Sequence, residues 1–131
     1  MASMSFSLPY PPSVNTYWRN NRGRTHISNK GRQYRQDVTL ALLEQFGAQW
    51  LNDNLITGRV RLSIVACCPD RRRRDIDNII KATLDAITHA ELWQDDCQVD
   101  DLRVWRGPVI SPGGCLELEL ETIAGDSDTA A

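Results

Sequence analysis

Apolar side chains occupy every second position from Val60 to Ala66 (Val60, Leu62, Ile64, Ala66), with Arg59, Arg61 and Ser63 among them. That alternation predicts a strand with one buried face. CLELELETI, residues 115–123, alternates as strictly, Leu116, Leu118 and Leu120 against Glu117, Glu119 and Glu121, and predicts a second strand. Tyr34, Val38, Ala41, Leu42 and Phe46 recur at helical spacing, with Ser28 placed to cap the helix and Gly47 to end it. DNIIKATLDAITHAEL, residues 77–92, predicts another helix. Its core stripe is Ile80, Leu84 and Ile87, widened by the alanines and Ile79. Weaker signals make Phe6–Leu8 a short strand stopped by PYPP, LRVWRGPV a strand, and NDNLITG and SPGG turns. WQDDCQVDD reads as a loop. SVNTYWRNNRGRTHISNKG, residues 13–31, has no period and predicts one long ordered loop. Loops of that length in compact domains are functional or disordered. The sum is an α/β (α+β) fold, a small mixed sheet covered by about two main helices. It forms a single domain over residues 1–131, with 1–5 and 124–131 flexible.

Composition changes this picture little. The 131 residues suit one domain with a modest core, and 41% hydrophobic with 24% charged content is ordinary for a globular chain. No apolar run approaches the ~18 residues of a membrane span. The opening MASMSFSLPYPP lacks the basic start and apolar core of a secretory signal. Cys67, Cys68, Cys97 and Cys115 form no CxxC, and adjacent strand residues such as Cys67 and Cys68 point to opposite faces. They are expected to be buried, reduced thiols rather than zinc ligands, as in a cytoplasmic protein.

Charge changes it more. The net charge of −2 conceals a split: residues 1–74 carry twelve Lys/Arg against four Asp/Glu, and residues 75–131 carry three against thirteen. Thirteen of the fifteen basic residues are Arg, whose planar fork matches phosphate. The two halves meet in PDRRRRDIDNIIK, where Arg71, Arg72, Arg73 and Arg74 run into Asp75, Asp77 and Lys81. In a continuous helix Asp75 and Asp77 would diverge by about 200°. With Asp75 in extended chain and Asp77 opening the helix they converge, with Lys81 one turn on. A helix start also favours a bound phosphate. Asp95 and Asp96, next to Trp93, follow the same helix at its far end. They reach Asp75 and Asp77 only if the loop folds back or the next strand pairs beside the first. Mg²⁺ takes hard oxygen ligands of this kind together with substrate phosphate.

Each piece has a plain reading: Asp as a cap, an Arg run as a solvated face, DD as a loop. Their conjunction at one strand-to-helix junction favours chemistry on a polyanion. Arg19, Arg22 and Arg24 add basic charge in the loop, and Tyr17 and Trp18 beside them are candidates to stack on bases. The other tryptophans are expected in the core, and His26 and His89 outside the chemistry. Leu40, Leu43 and the apolar side of the Asn78–Leu92 helix are candidate interface residues.

LPYPPSVNTYWRNNRGRTHIS, PDRRRRDIDNIIKATLDAIT, WQDDCQVDDLRV and GGCLELEL together resemble the RusA family of Holliday junction resolvases, over about residues 6–120. The resemblance implies a homodimeric endonuclease of phage or prophage type that resolves four-way DNA junctions by paired symmetric nicks, in recombination and repair. It implies Mg²⁺, with Mn²⁺ able to substitute, on Asp75, Asp77 and Asp96, and a catalytic Lys81. Arg71–Arg74 would contact DNA, with Arg19, Arg22 and Arg24 of the loop as further candidate DNA-binding residues, Asp95 would be a supporting carboxylate, and the setting would be the bacterial cytoplasm and nucleoid, with no membrane. The competing readings are a nuclease for flaps or forks and a non-catalytic branched-DNA-binding protein.

Overall fold

The structure is a computed structural model that describes residues 3–123. The elements run β1 (Ser3–Pro9), α1 (Val14–Tyr17), β2 (Trp18–Asn21), β3 (Arg24–Ile27), α2 (Asn29–Phe46), α3 (Ala48–Asp53), β4 (Val60–Cys67), α4 (Ile80–His89), β5 (Val99–Arg106) and β6 (Cys115–Thr122). Short 3-10 turns at Ile76–Ile79 and Asp96–Gln98 lead into α4 and β5.

The mixed sheet has the order β1-β6-β4-β5. β6 pairs antiparallel with both β1 and β4, while β5 runs parallel to β4, with Val60 opposite Val99 and Ala66 opposite Arg106. The alternation dictates the buried face: Val60, Leu62 and Ile64 of β4 and Leu116, Leu118 and Leu120 of β6 are buried. Tyr34, Val38 and Leu42 from α2 and Ile79, Ala82, Ala86 and Ile87 from the α4 segment close over that face in one cluster. Burial of such side chains contributes about 1.5–3 kcal/mol each.

Ser28 caps α2 as expected, its Oγ accepting from Gly31 N at 3.0 Å, and Gly47 ends the helix with φ 85°. α3 then occupies a stretch where no helix was expected. The α4 stripe is rotated from the expected one. Ile79, Ala82, Thr83, Ala86 and Ile87 are buried, while Ile80 and Leu84 are half-buried, because residues 76–79 form a 3-10 turn and the α-helix begins only at Ile80.

Residues 13–31 are not one loop. α1 is followed by a β2–β3 hairpin, closed by Arg22 and Gly23 with φ 54° and 78°. Both turn residues in the left-handed region describe the tight turn favoured by hairpins. The pattern concealed it because the hairpin is polar on both faces, and only Trp18 and Ile27 at its base are sheltered. Gly31 seats that base: a Cβ there would lie 2.5 Å from Ile27 Cγ1 and 2.6 Å from the Tyr17 carbonyl oxygen.

Other expectations are corrected. Ser3 to Ser5 are paired with Glu119–Glu121 in the sheet rather than loose. Residues 1–2 and the expected flexible 124–131 lie outside the described residues. β5 begins at Val99, inside the expected loop. Trp50 and Trp105 are exposed (38% and 49%), whereas Trp93 is fully buried. Of the cysteines only Cys67 is buried and Cys97 is exposed; none is in a disulfide. No helix of the described residues is long and apolar enough to cross a membrane.

Candidate active site

Asp75 and Asp77 lie beyond the C-terminal end of β4, where the chain turns into α4. Asp75 has extended backbone (φ −83°, ψ 135°) and Asp77 lies in the first turn of the 3-10 segment Ile76–Ile79, the backbone states expected from the sequence. The turn is held by backbone, Asn78 N donating to the Asp75 carbonyl at 3.2 Å. Neither carboxylate caps it. Both are exposed, and neither has an ion pair or side-chain hydrogen bond among the described residues.

The arginines are organised by Asp70 instead. Arg74 Nη1 lies 2.7 Å from Asp70 Oδ1 and Arg72 Nη2 lies 3.3 Å from Oδ2. Bonds from Arg74, then from the Arg72 backbone, hold the Asp70 carboxyl down at about 2. Arg74 also donates to the carbonyls of Asp70 and Arg72 and sits over the Tyr10 ring. Arg106, at the end of β5, donates to the Arg74 carbonyl. Arg74 therefore shapes the loop, while Arg71, Arg72 and Arg73 project from it, all exposed. With Arg106 and Gly107 the run lines a cavity of about 250 Å³.

Lys81 is exposed and its ammonium lies 5.7 Å from the centroid of the Trp18 ring, a cation–π contact. One turn on, Asp85 receives Arg35 on both oxygens, at 2.9 and 3.1 Å, and the Tyr17 hydroxyl donates to it. This triad pins α4 to α2 and α1. Burial, then the bond to Asp85, raises the Tyr17 phenol well above its usual range. Tyr17 is fully buried, so it is not a platform for bases.

Asp95 and Asp96 are at the other end of α4. Because β5 runs parallel to β4, its first residues lie beside the start of β4, and Asp75 and Asp77 follow the end of β4. The ten residues of α4, about 15 Å of helix, intervene. Asp95 is a cap: its side chain accepts from Cys97 N at 3.0 Å, which holds its carboxyl below the usual range. Gln98 completes the turn. Its Oε1 accepts from the Gln94 and Asp95 N–H groups, and its Nε2 donates to the Ile56 and Gly58 carbonyls. This presents Asp96 on the surface. Partial loss of hydration, then the Asp95 carboxyl and the Asp85 charge, push the Asp96 carboxyl above its usual range.

Thus the chain brings Asp75, Asp77 and Lys81 to one end of α4 and leaves Asp96 at the other. Among the described residues no group of three or more His, Cys, Asp or Glu side chains could hold a metal ion. Asp75 and Asp77 remain a pair of open hard-oxygen donors, a set that suits Mg²⁺ when phosphate supplies further ligands.

The family model described as endodeoxyribonuclease RusA matches residues 9–120, which include the whole of this arrangement. The chain belongs to the RusA family. The crossover junction endodeoxyribonuclease of Enterobacteria phage HK97 is 45% identical over 126 residues, 94% of this chain and all of that protein. The proteins of the same name from Shigella sonnei (strain Ss046) and Escherichia coli (strain K12) are 44% and 43% identical, each along its full length and 96% of this chain.

Within this RusA chain, reading by pattern missed Arg106, Tyr10 and the Arg35–Asp85–Tyr17 triad. Arg106 would have been found by anyone who knew that β5 lies parallel to β4. The triad had no linear signal, because its members sit at positions 17, 35 and 85 on three different elements. Arg19, Arg22 and Arg24 are exposed on the hairpin. Of the candidate interface residues, Leu40 and Leu43 are exposed, whereas the apolar side of α4 faces the core.

Proposed function

We propose that this protein is a Mg²⁺-dependent, structure-specific endodeoxyribonuclease that resolves four-way DNA junctions by paired symmetric nicks, acting as a homodimer in the bacterial cytoplasm. One observation carries the reading: two exposed carboxylates, unpartnered among the described residues, stand next to an arginine loop, in a chain alike over 94% of its length to a crossover junction endodeoxyribonuclease. Arg71, Arg72 and Arg73 bind backbone phosphates and set position on the DNA. Asp75 and Asp77 hold the cation. Mg²⁺, or Mn²⁺ in its place, supplies charge neutralisation at the phosphate and activation of a water. Lys81 stabilises the charge that develops on the phosphate oxygens.

The placement of Asp96 favours a site shared between protomers. A two-fold axis makes every cross-contact occur twice. Two chains side by side with α4 antiparallel would bring Asp96 of the partner subunit towards Asp75 and Asp77. Two equivalent sites then match the two-fold symmetry of a junction. Asp95 serves as the cap that presents Asp96.

The test is cleavage of a mobile four-way junction beside linear duplex, with Mg²⁺ or EDTA, by wild type and Asp75→Asn. The reading expects paired nicks on the junction alone, abolished by EDTA and by the substitution. Tight junction binding without a cut under Mg²⁺ or Mn²⁺ would instead establish a binding protein, and cutting of flaps or forks in preference to junctions would change the substrate class.

A further inference from the structure

β4 and β6 carry a pair of thiols outside the candidate active site. In the antiparallel ladder Cys67 stands directly opposite Cys115, the last matched pair before the chain leaves the sheet. Opposite residues on neighbouring strands point to the same face. The two therefore alternate away from Ala66 and Leu116, which are buried beneath the helices, and share the outer face of the sheet with Val65 and Glu117. Opposite Cα atoms in such a ladder are about 4.5–5.5 Å apart, inside the roughly 4.4–6.8 Å that a disulfide spans. Both thiols are free. Cys67 is buried, with the chain at Gly107 lying against it: a Cβ there would be 3.1 Å from Cys67 Sγ. Cys115 is half-buried, and its Sγ donates to Glu117 Oε2 at 3.5 Å. The other two cysteines are engaged or remote. Cys68 Sγ lies 3.5 Å from the Tyr10 hydroxyl, and Cys97 precedes β5, which starts beside the start of β4 rather than its end.

From Cys67 the chain passes through Cys68 and Pro69 into the arginine loop. The turn before Cys115 packs on that same exit. A Cβ at Gly114 would lie 2.5 Å from the Cys67 carbonyl oxygen and 2.8 Å from Pro69 N, and Ile110 N donates to the Cys68 carbonyl at 2.9 Å. We propose that Cys67 and Cys115 are a redox-sensitive dithiol, which closes under oxidation into a disulfide that staples β4 to β6 at the root of the arginine loop. The oxidant is a small-molecule disulfide such as glutathione disulfide. The Cys115 thiolate attacks one of its sulfurs and expels a thiolate, and Cys67 then attacks the Cys115 sulfur and expels the second. Two protein S–H bonds and one small-molecule S–S bond are lost, and one protein S–S bond and two small thiols form. Burial, then the bond to Glu117, pushes the Cys115 thiol up to about 11, and the neighbouring Cys67 adds to the effect. A thiol held protonated reacts slowly, so the pair withstands brief exposure and closes under sustained oxidation. The bond closes a loop of roughly fifty residues, which restricts the unfolded chain and stabilises the folded one.

The test incubates the native protein, and separately refolds it from urea, in glutathione buffers that run from reducing to oxidising. Refolding lets the thiols meet the oxidant however slowly the native pair reacts. In the oxidising buffer wild type is expected to lose two of its four thiols and two hydrogens of mass, with peptide mapping placing the bond between Cys67 and Cys115. Its melting temperature should rise by about 10 °C, the scale for a loop of that length in a chain of this size. Cys115→Ser should show neither the bond nor the rise. A Cys68→Ser/Cys97→Ser variant keeps only the pair and should match wild type; it carries the test if Cys115→Ser does not fold. The staple is overturned if both thiols stay reduced after refolding in the oxidising buffer or keep a bound glutathione. A bond that maps to Cys68 or Cys97 instead, or a melting temperature that does not rise, overturns it equally. None of these readouts uses DNA, so the staple stands or falls apart from the nuclease reading.

Discussion

The separation of Asp96 from Asp75 and Asp77 permits a test by subunit mixing. Coordination to Mg²⁺ reaches about 2.1 Å from the ion, so carboxylates on one ion lie within a few ångströms of each other. About 15 Å of α4 lies between the two ends of the set in one chain. If the missing ligand comes from the partner subunit, Asp75→Asn and Asp96→Asn homodimers each lose both sites. In a heterodimer of the two, one site carries both substitutions and the other carries none. Random exchange at equal concentration makes half the dimers mixed, each with one intact site, so about one quarter of wild-type nicking returns. The products should be mostly single nicks, because the second site of each mixed dimer is dead. Asp75→Asn mixed with Asp77→Asn is the control. Both changes fall in the same half-site, every dimer has two damaged sites, and nothing should return. The assay is nicking of a labelled four-way junction after co-refolding or prolonged incubation of the two variants. A mixture of Asp75→Asn and Asp96→Asn no more active than the two alone, with subunit exchange verified by a size tag, would refute the shared site.

The remaining predictions concern binding, pH and stability. Arg72→Ala and Arg73→Ala should each weaken junction binding and lower the salt slope by about one, the signature of a lost phosphate contact; titrations of binding against salt decide it. Burial pushes the Tyr10 phenol up to about 12, and burial raises those of Tyr17 and Tyr34 further. The folded state therefore favours neutral phenols. That stability is present below pH ~10, the unfolded value, and is lost as pH rises through the folded ones. Phenolate absorbance should show no tyrosine ionising near pH 10 while circular dichroism stays native, and a normal titration there would contradict the packing. Tyr17→Phe leaves Asp85 to Arg35 alone and should cost about 1–2 kcal/mol in urea unfolding, since the lost bond goes to a charged acceptor that keeps some solvent; an unchanged midpoint would remove Tyr17 from the triad.

The linear pattern was informative where burial is one-sided. β4 and β6 could be read almost to the residue, because a strand that buries one face must alternate. α2 and its Ser28 cap followed for the same reason at the helical period. The candidate chemistry was also local: Asp75, Asp77, Lys81 and the arginines lie within eleven residues, so a single strand-to-helix turn assembles them. The hairpin from Trp18 to Ile27 was not readable, because it buries little and its turn places an arginine at a positive φ that sequence preferences assign to Asn or Gly.

Two questions had no local answer. Whether Asp75 or Asp95 is the capping residue depends on which backbone N–H each can reach, and the folded chain gives that role to Asp95. Whether Asp96 joins Asp75 depends on the direction in which β5 pairs. A parallel partner starts at the foot of β4 and separates them, whereas a loop folded back would have brought them together. By itself the sequence determined the family, the sheet faces and the charged cluster, because these rest on contacts near in the chain. The tertiary structure alone decided which carboxylates stand free, which arginine shapes the loop and how far apart the acidic groups lie, because these depend on strand pairing across about forty residues, Val60 with Val99.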